Sequence, residues 1–440
     1  MNKRTGVIAG AAAVAITGAA ILLPDASAST DRPTALRTFS APAAGRLATA
    51  LKADLGDRAA GWYLDGANGH LVMNVLSEDD AAGVRAKGAV ARVVHNSLTA
   101  LKSGTRTLRE TAAVPGTAWS IDPTTNKIVV LADRTVTGAR MATLTGVTDR
   151  LGADMVTVKH SRGEFRRFDG GGTASGSPGS GSDGQAAGGQ GDDGQGSGGA
   201  AAGPVGGSAI FGGGARCSLG FNVTVQGALA FLTAGHCGND SRTWSADQGG
   251  GRPLGTVTDS QFPRTDFALV TYDDPGARPQ SAVDLGNGGT QPISRTAEAA
   301  VGMRVQRSGS TSGLHDGTVT GLDATVNYGN GDVVSGLIQT DVCAEPGDSG
   351  GSMFAGDAAV GLTSGGSGDC TQGGETFFQP VTAALAATGA QIGTGGDEST
   401  GGGSAGGGSA GGNSAPGGDR GPDRNGTSND TSPTASMSLN

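Results

Sequence analysis

Aromatic residues make up only 4% of this 440-residue chain, with Trp 3, Tyr 3 and Phe 11, whereas glycine reaches 82. With so little bulky apolar volume, much of the chain cannot be packed core, although its length exceeds one ordinary domain. Positive charge is also short. Lys and Arg total 31 against 40 Asp and Glu, for a net charge of -9 without a basic stripe, which argues against nucleic acid as a partner. Cysteines are few: Cys217, Cys237, Cys343 and Cys370. None stands at C-x-x-C spacing, so a metal site has no support and no cofactor is expected. Their confinement to one stretch suits disulfides formed in an oxidising exterior, with three pairings open on the count alone. Long hydrophobic runs are missing except over residues 7–23, which follow Lys3 and Arg4 and precede Ala26-Ser27-Ala28. Broken by Gly10 and Gly18, this run reads as a signal peptide over 1–28, cleaved after Ala28, rather than as a membrane anchor. A secreted, extracellular product with no membrane attachment after signal removal is expected.

What is present falls into blocks. Residues 29–168 have ordinary composition and periodic signals. A helix opens at Ser40 and Pro42 with Leu47, Leu51 and Leu55 on one face, and a hairpin turns at Asn68-Gly69. A second helix starts at Ser77, and a strand follows over 89–94. A second hairpin spans 119–131, then a helix over 137–151 and a strand over 155–158 complete an α+β unit. Residues 169–208 change to Gly, Ser, Asp, Gln and Ala, with almost nothing to bury, and read as a flexible linker. From 209 to 393, short apolar strands alternate with Gly-rich turns, among them 221–225, 229–233, 267–272, 301–305, 333–340 and 358–362. This pattern predicts an all-β pair of antiparallel barrels with one helix, over 381–387. Residues 394–440 are Gly/Ser-rich and disordered on composition.

The chemistry concentrates in the barrel region. Gly347-Asp348-Ser349-Gly350-Gly351-Ser352 lies downstream of Thr233-Ala234-Gly235-His236-Cys237. A serine hydroxyl needs a neighbouring imidazole to take its proton, and glycines let backbone N–H groups approach a developing oxyanion. Thr233-Ala234-Gly235-His236-Cys237 supplies that imidazole, making His236 the candidate base for Ser349, and His70, His95 and His160 of the α+β block are given no catalytic part. A third member should be a carboxylate between them in sequence, in the order His, Asp, Ser. Asp266 is selected because the Arg264-Thr265-Asp266 turn enters an apolar strand, whereas Asp247, Asp259, Asp273 and Asp274 sit in turn-like or Gly/Ser-rich contexts.

Four segments in order carry a family resemblance: Cys217-Ser218-Leu219-Gly220-Phe221-Asn222-Val223, Phe231-Leu232-Thr233-Ala234-Gly235-His236-Cys237, Cys343-Ala344-Glu345-Pro346-Gly347-Asp348-Ser349-Gly350-Gly351 and Gly361-Leu362-Thr363-Ser364-Gly365-Gly366-Ser367-Gly368. Together they resemble the streptogrisins, secreted bacterial serine endopeptidases related to alpha-lytic protease. The resemblance implies a chymotrypsin-like double six-stranded barrel and disulfides Cys217–Cys237 and Cys343–Cys370. It also implies that residues 29–168 are a pro-region acting as folding catalyst and inhibitor. The linker departs from the family pattern, in which the pro-region usually runs straight into the protease. Two maturation sites stay open: after Phe168, or at Ala209–Ile210.

On this reading the catalytic residues are His236, Asp266 and Ser349, with the amides of Gly347 and Ser349 as the oxyanion hole. Asp348, beside the nucleophile, would need a cation if buried, and the family's internal arginine falls on Arg307. The specificity pocket is expected between Ala344-Glu345-Pro346 and Ser364-Gly365-Gly366, with Thr376 at its far end. Glycines on one wall and no cation at the base predict large apolar or aromatic P1 residues. Acidic P1 specificity, which often uses a histidine, is disfavoured because outside His236 this region holds only His315, in a polar loop, and Glu375 is an unusual neighbour. Partners are polypeptide substrates and the chain's own pro-region, and a monomer is expected. The competing reading is a catalytically silent secreted binding module with Gly-rich targeting arms.

Overall fold

The computed structural model of the protein describes residues 36–168 and 203–393. The expected signal peptide, the linker as far as residue 202 and the tail lie outside the described residues. Residues 203–208, assigned to the linker on composition, pack onto the barrel instead. Gly206 N–H donates to Ala282 O (2.9 Å), and Gly207 N–H donates to Leu219 O (2.7 Å). Both glycines are buried against the hydroxyls of Ser352 and Ser308, so here glycine serves close approach rather than flexibility.

Residues 36–168 form two α+β lobes. In the first, Ala41–Leu55 buries Ala44, Ala48, Leu51 and Leu55 against the hairpin Ala59–Asp65 and His70–Val75. The helix Glu78–Ala86 follows, with Ser77 Oγ accepting Asp80 N–H, and Val90–Val93 pairs parallel with His70–Val75. In the second lobe, Thr117–Asp122 and Lys127–Ala132 form an antiparallel hairpin, and Val156–His160 adds in parallel after the helix Gly138–Leu151.

A further helix, Leu98–Thr111, is absent from the sequence expectation. Ser97 caps it by accepting Ala100 N–H at 3.1 Å. Its inward face is Leu101, Gly104, Thr105 and Leu108, so two of four buried positions carry glycine and threonine and dilute the apolar period.

The barrel region begins with a seven-stranded antiparallel sheet, one strand more than expected. The surplus arises because the Gly213-Gly214 turn divides Ala209–Gly212 from Ala215–Ser218. The second barrel closes on six strands. Arg304–Gly309 pairs with Ser352–Ala355, and the order continues through Ala358–Gly366, Thr376–Pro380, Val333–Thr340 and Gly313–Asn327, which returns to Arg304–Gly309. The strand placed over 301–305 lies at Arg304–Gly309, because Val301 and Gly302 form a turn against the first lobe, where Leu64 N–H donates to Val301 O. The helix Val381–Thr388 occupies the expected place, and a short helix, Gly235–Asp240, adds to it.

The α+β unit and the second barrel share one sheet and one core. Thr117–Asp122 pairs antiparallel with Gly313–Asn327, placing Ile121 opposite Leu322 and Trp119 opposite Thr325. Leu51, Leu71, Met73 and Val84 from the α+β unit bury together with Val301, Val305, Ile338 and Met353. Phe165 packs edge-on to Phe377 at 5.7 Å between centroids, a geometry worth about 0.5–1.5 kcal/mol beyond its buried area.

Candidate active site

The strand Ala228–Thr233 runs into the short helix Gly235–Asp240, which carries His236, and the Cys217–Cys237 disulfide ties this helix to the strand Ala215–Ser218. Asp266 sits one residue before the strand Phe267–Tyr272, with its backbone N–H held by Gln379 Oε1 at 2.9 Å. Ser349 lies in the turn before Ser352–Ala355, where its carbonyl accepts Ser218 N–H at 2.8 Å. These three elements place the predicted residues in one line. Ser349 Oγ is 2.7 Å from His236 Nε2, and His236 Nδ1 is 2.9 Å from Asp266 Oδ2. Asp266 Oδ1 also accepts the backbone N–H of His236 at 3.0 Å.

All three side chains are buried. Burial works against the charge on Asp266, but attraction to His236 and hydrogen bonds from His236 and Ser364 outweigh it and hold the carboxyl below its ordinary range. An ionised Asp266 fixes the tautomer: His236 Nδ1–H donates to the carboxylate, leaving Nε2 to accept the Ser349 proton. A serine so placed can attack an acyl carbon.

A peptide already occupies the site. Arg166–Arg167 pairs antiparallel with the strand Ala358–Gly366, matching Arg167 to Gly365 and Arg166 to Gly366. The next residue, Phe168, is buried, and its carbonyl accepts the N–H of Gly347. Gly347 needs its φ of +100°, and a side chain there would strike the Thr311 hydroxyl. At Gly365 a side chain would collide with the Arg166 carbonyl, so glycine is what admits the peptide.

The predicted pocket residues divide by role. Gly365 and Gly366 bind the peptide main chain. Ser364 turns its hydroxyl to Tyr328 (3.2 Å) and to Asp266, supporting the carboxylate instead. Glu345 Oε1 accepts Cys370 N–H at 2.9 Å, bracing the loop closed by Cys343–Cys370, and Pro346 O accepts the Thr311 hydroxyl at 2.8 Å. Ala344 is buried nearby, and Thr376 lies opposite Gly366 in the sheet. Glu375 Oε2 accepts the hydroxyls of Ser367 (2.6 Å), in the same barrel, and Ser161 (3.0 Å), in the α+β unit. His315 is within 4.8 Å of the Cys343–Cys370 sulfurs and opposite Arg307 in the sheet, with Nε2 3.0 Å from Ser312 O. The sulfurs near His236 and His315 are in disulfides and offer no thiolate to a metal.

Asp348 and Arg307 meet at 3.1 Å, both fully buried. Asp348 also accepts N–H groups of Thr311 (2.9 Å), Ser312 (3.1 Å) and Glu345 (2.8 Å) and the Ser312 hydroxyl (2.5 Å). Arg307 donates to Gly313 O (3.0 Å) and Cys343 O (2.7 Å). Burial pulls the guanidinium below its ordinary value, and Asp348 and Glu345 oppose that pull. Arg307→Met removes the cation and leaves Asp348 buried beside the nucleophile. A loss of about 3–5 kcal/mol in denaturant unfolding is expected, and a loss below about 1 kcal/mol would show the pair to be dispensable.

Sequence reasoning missed Ser218, Phe262, Tyr328 and Gln379. Ser218 Oγ donates to Gly347 O at 2.9 Å, and Phe262 packs edge-on to the His236 ring at 5.6 Å. Phe262, four residues before Asp266, was the one with a signal: a bulky apolar residue in an otherwise polar turn.

The chain resembles known proteins along most of its length. Residues 32–94 match the alpha-lytic protease pro N-terminal family, 96–152 the alpha-lytic protease prodomain and 206–387 the trypsin family. Streptogrisin-D of Streptomyces griseus is 48% identical over 394 residues, covering 89% of this chain and 91% of the relative. Streptogrisin-A of the same organism is 46% identical over 281 residues, covering 64% and 80%. Glutamyl endopeptidase 2, also from S. griseus, is 48% identical over 188 residues, covering 43% and 98%.

Proposed function

We propose, from the premise that this chain belongs to the streptogrisin family of serine endopeptidases made with an alpha-lytic-type pro-region, that it is a secreted zymogen that cleaves itself after Phe168. The enzyme prefers large apolar or aromatic P1 residues. The observation that carries this reading is the seating of Phe168: a buried side chain, a carbonyl at the Gly347 N–H, and the two preceding residues paired to Gly365 and Gly366. That is how a chymotrypsin-like site holds the acyl side of a substrate.

The mechanism follows from the geometry. Ser349 Oγ attacks the carbonyl carbon while its proton passes to His236 Nε2. Asp266 stabilises the imidazolium through Nδ1–H, and the Gly347 and Ser349 amides take the oxyanion. His236 then gives the proton to the leaving amine. Water, activated by the same nitrogen, releases the acyl group. After the first turnover the new Phe168 carboxylate stays in the site, so the pro-region inhibits as a product.

The alternative maturation site has less support. Ala209 and Ile210 are inside a paired strand, Ile210 is buried, and a protease cannot take up a peptide bond held in a sheet. Streptogrisin-D and glutamyl endopeptidase 2 are both 48% identical to this chain, so overall similarity does not decide P1. Pocket chemistry supports the apolar preference. Residues 344–346, 364–366 and 376 include no cation, and Glu345, the one charge, is engaged with Cys370.

The test is N-terminal sequencing of the processed enzyme together with a P1 panel of peptide anilides. A mature chain beginning at Asp169 is expected, with kcat/KM for P1 Phe at least about a hundredfold above P1 Glu, since an acidic side chain would be buried unpaired. An N-terminus at Ile210, or equal turnover of Glu, would refute the corresponding half.

A further inference from the structure

We infer that Asp332 and Phe262 form a clamp that selects a cationic side chain, arginine above all, at the P2 position of the peptide substrate. The inference rests on the reading of Phe168 as the cleaved residue, which makes Arg167 P2 and Arg166 P3.

The two arginines are treated differently. Arg166 is exposed, and its main chain pairs with Gly366. Arg167 is drawn in, with 27% of its side chain accessible, and lies between two groups contributed by different barrels. Its guanidinium carbon sits over the Phe262 ring, 5.4 Å from the centroid, within cation–π range. Its Nε is 3.9 Å from Asp332 Oδ2, and Asp332 is itself only 28% accessible. A flat, delocalised cation suits a ring face on one side and a carboxylate on the other better than an ammonium does.

The clamp is built into the barrels rather than formed by two chance side chains. Arg264 N–H donates to Val333 O (3.0 Å) and Ser335 N–H donates to Arg264 O (2.9 Å), stitching the Phe262 loop to the strand that follows Asp332. Asp332 is fixed in its own turn, donating its N–H to Gly329 O (2.8 Å) and accepting Tyr328 N–H (3.0 Å). Phe262 also packs against the His236 ring, so the aromatic wall that meets P2 touches the catalytic base. An apolar P2 would use the ring alone, and an acidic P2 would meet Asp332 with like charge.

Processed enzyme is to be assayed on acetyl-Ala-Ala-X-Phe anilides, with X as arginine, citrulline or alanine. Citrulline keeps the planar shape and removes the charge. The expected kcat/KM for arginine is about five- to tenfold above citrulline at low salt, shrinking in 1 M NaCl. Asp332→Asn should bring the arginine-to-citrulline ratio close to one, and Phe262→Leu should reduce the lead of arginine over alanine. A wild-type ratio of one, or a ratio indifferent to both salt and Asp332→Asn, overturns the clamp while leaving the protease intact. Failure of the enzyme on every peptide would instead remove the premise, and the clamp with it.

Discussion

Ser349→Ala is expected to lower turnover of a P1-Phe anilide by about a millionfold and to leave the precursor at full length. The size of the effect follows from the geometry of the site. Among the described residues, Ser349 Oγ is the nucleophilic atom at hydrogen-bond distance from His236 Nε2, and the Phe168 carbonyl already rests on the Gly347 N–H. Without the hydroxyl, oxyanion stabilisation remains but no acyl-enzyme can form. The substitution removes one atom from a buried turn whose anchors are main-chain groups, among them Ser349 O with Ser218 N–H, so the fold should survive. Mass spectrometry of the expressed product gives the second readout. Wild type should appear cut at Phe168–Asp169 and the variant uncut. Identical processing of both would mean that another protease matures the chain, and retained turnover would dismiss Ser349 as nucleophile.

Asp266→Asn is expected to cost about ten-thousandfold in kcat while preserving the site's shape. In the native site Oδ1 accepts the backbone N–H of His236, and Oδ2 lies 2.9 Å from Nδ1. An asparagine must place its carbonyl oxygen where Oδ1 stands, because only an oxygen accepts from that N–H. Its amide group then faces Nδ1 and donates to it. The imidazole proton moves to Nε2, which can no longer accept from Ser349. The same change removes a stabilising charge. Folding lowers the Asp266 pKa, so its contribution is present above the unfolded value near ~3.9 and is lost as pH falls through the lower folded value. Wild type should therefore lose this contribution on acidification, while the asparagine variant has none to lose. The catalytic loss can be read in a single turnover, as the rate of precursor cleavage at Phe168. A fall of less than about tenfold would exclude the tautomer argument.

The sequence made the reacting groups legible and left their supports obscure. Ser349, His236 and Asp266 can be found because each needs a particular residue type in a restrictive local context, such as glycines around the serine. Barrel strands such as Phe221–Val225 and Phe267–Tyr272 announce themselves by alternation. Asp332 and Phe262 cannot be found this way, because two loops far apart in sequence become one subsite only once the barrels dock. Ser364 stands in the expected pocket and Glu375 beside it, yet their side chains turn to Asp266 and Ser161. The helix Leu98–Thr111 escaped because small and hydroxylated residues occupy half its buried face.

The sheet shared by the pro-region and the second barrel has a consequence for the enzyme's later life. While Thr117–Asp122 lies against Gly313–Asn327, the backbone between Leu322 and Asn327 is bonded and Ala324 and Val326 are dry. Once the pro-region departs, that stretch becomes a bare strand edge, with open donors and acceptors beside apolar side chains, of the kind that recruits foreign strands and seeds aggregation. Freed pro-region carries the complementary edge on Thr117–Asp122. Its destruction by the mature protease would therefore remove a sticky surface.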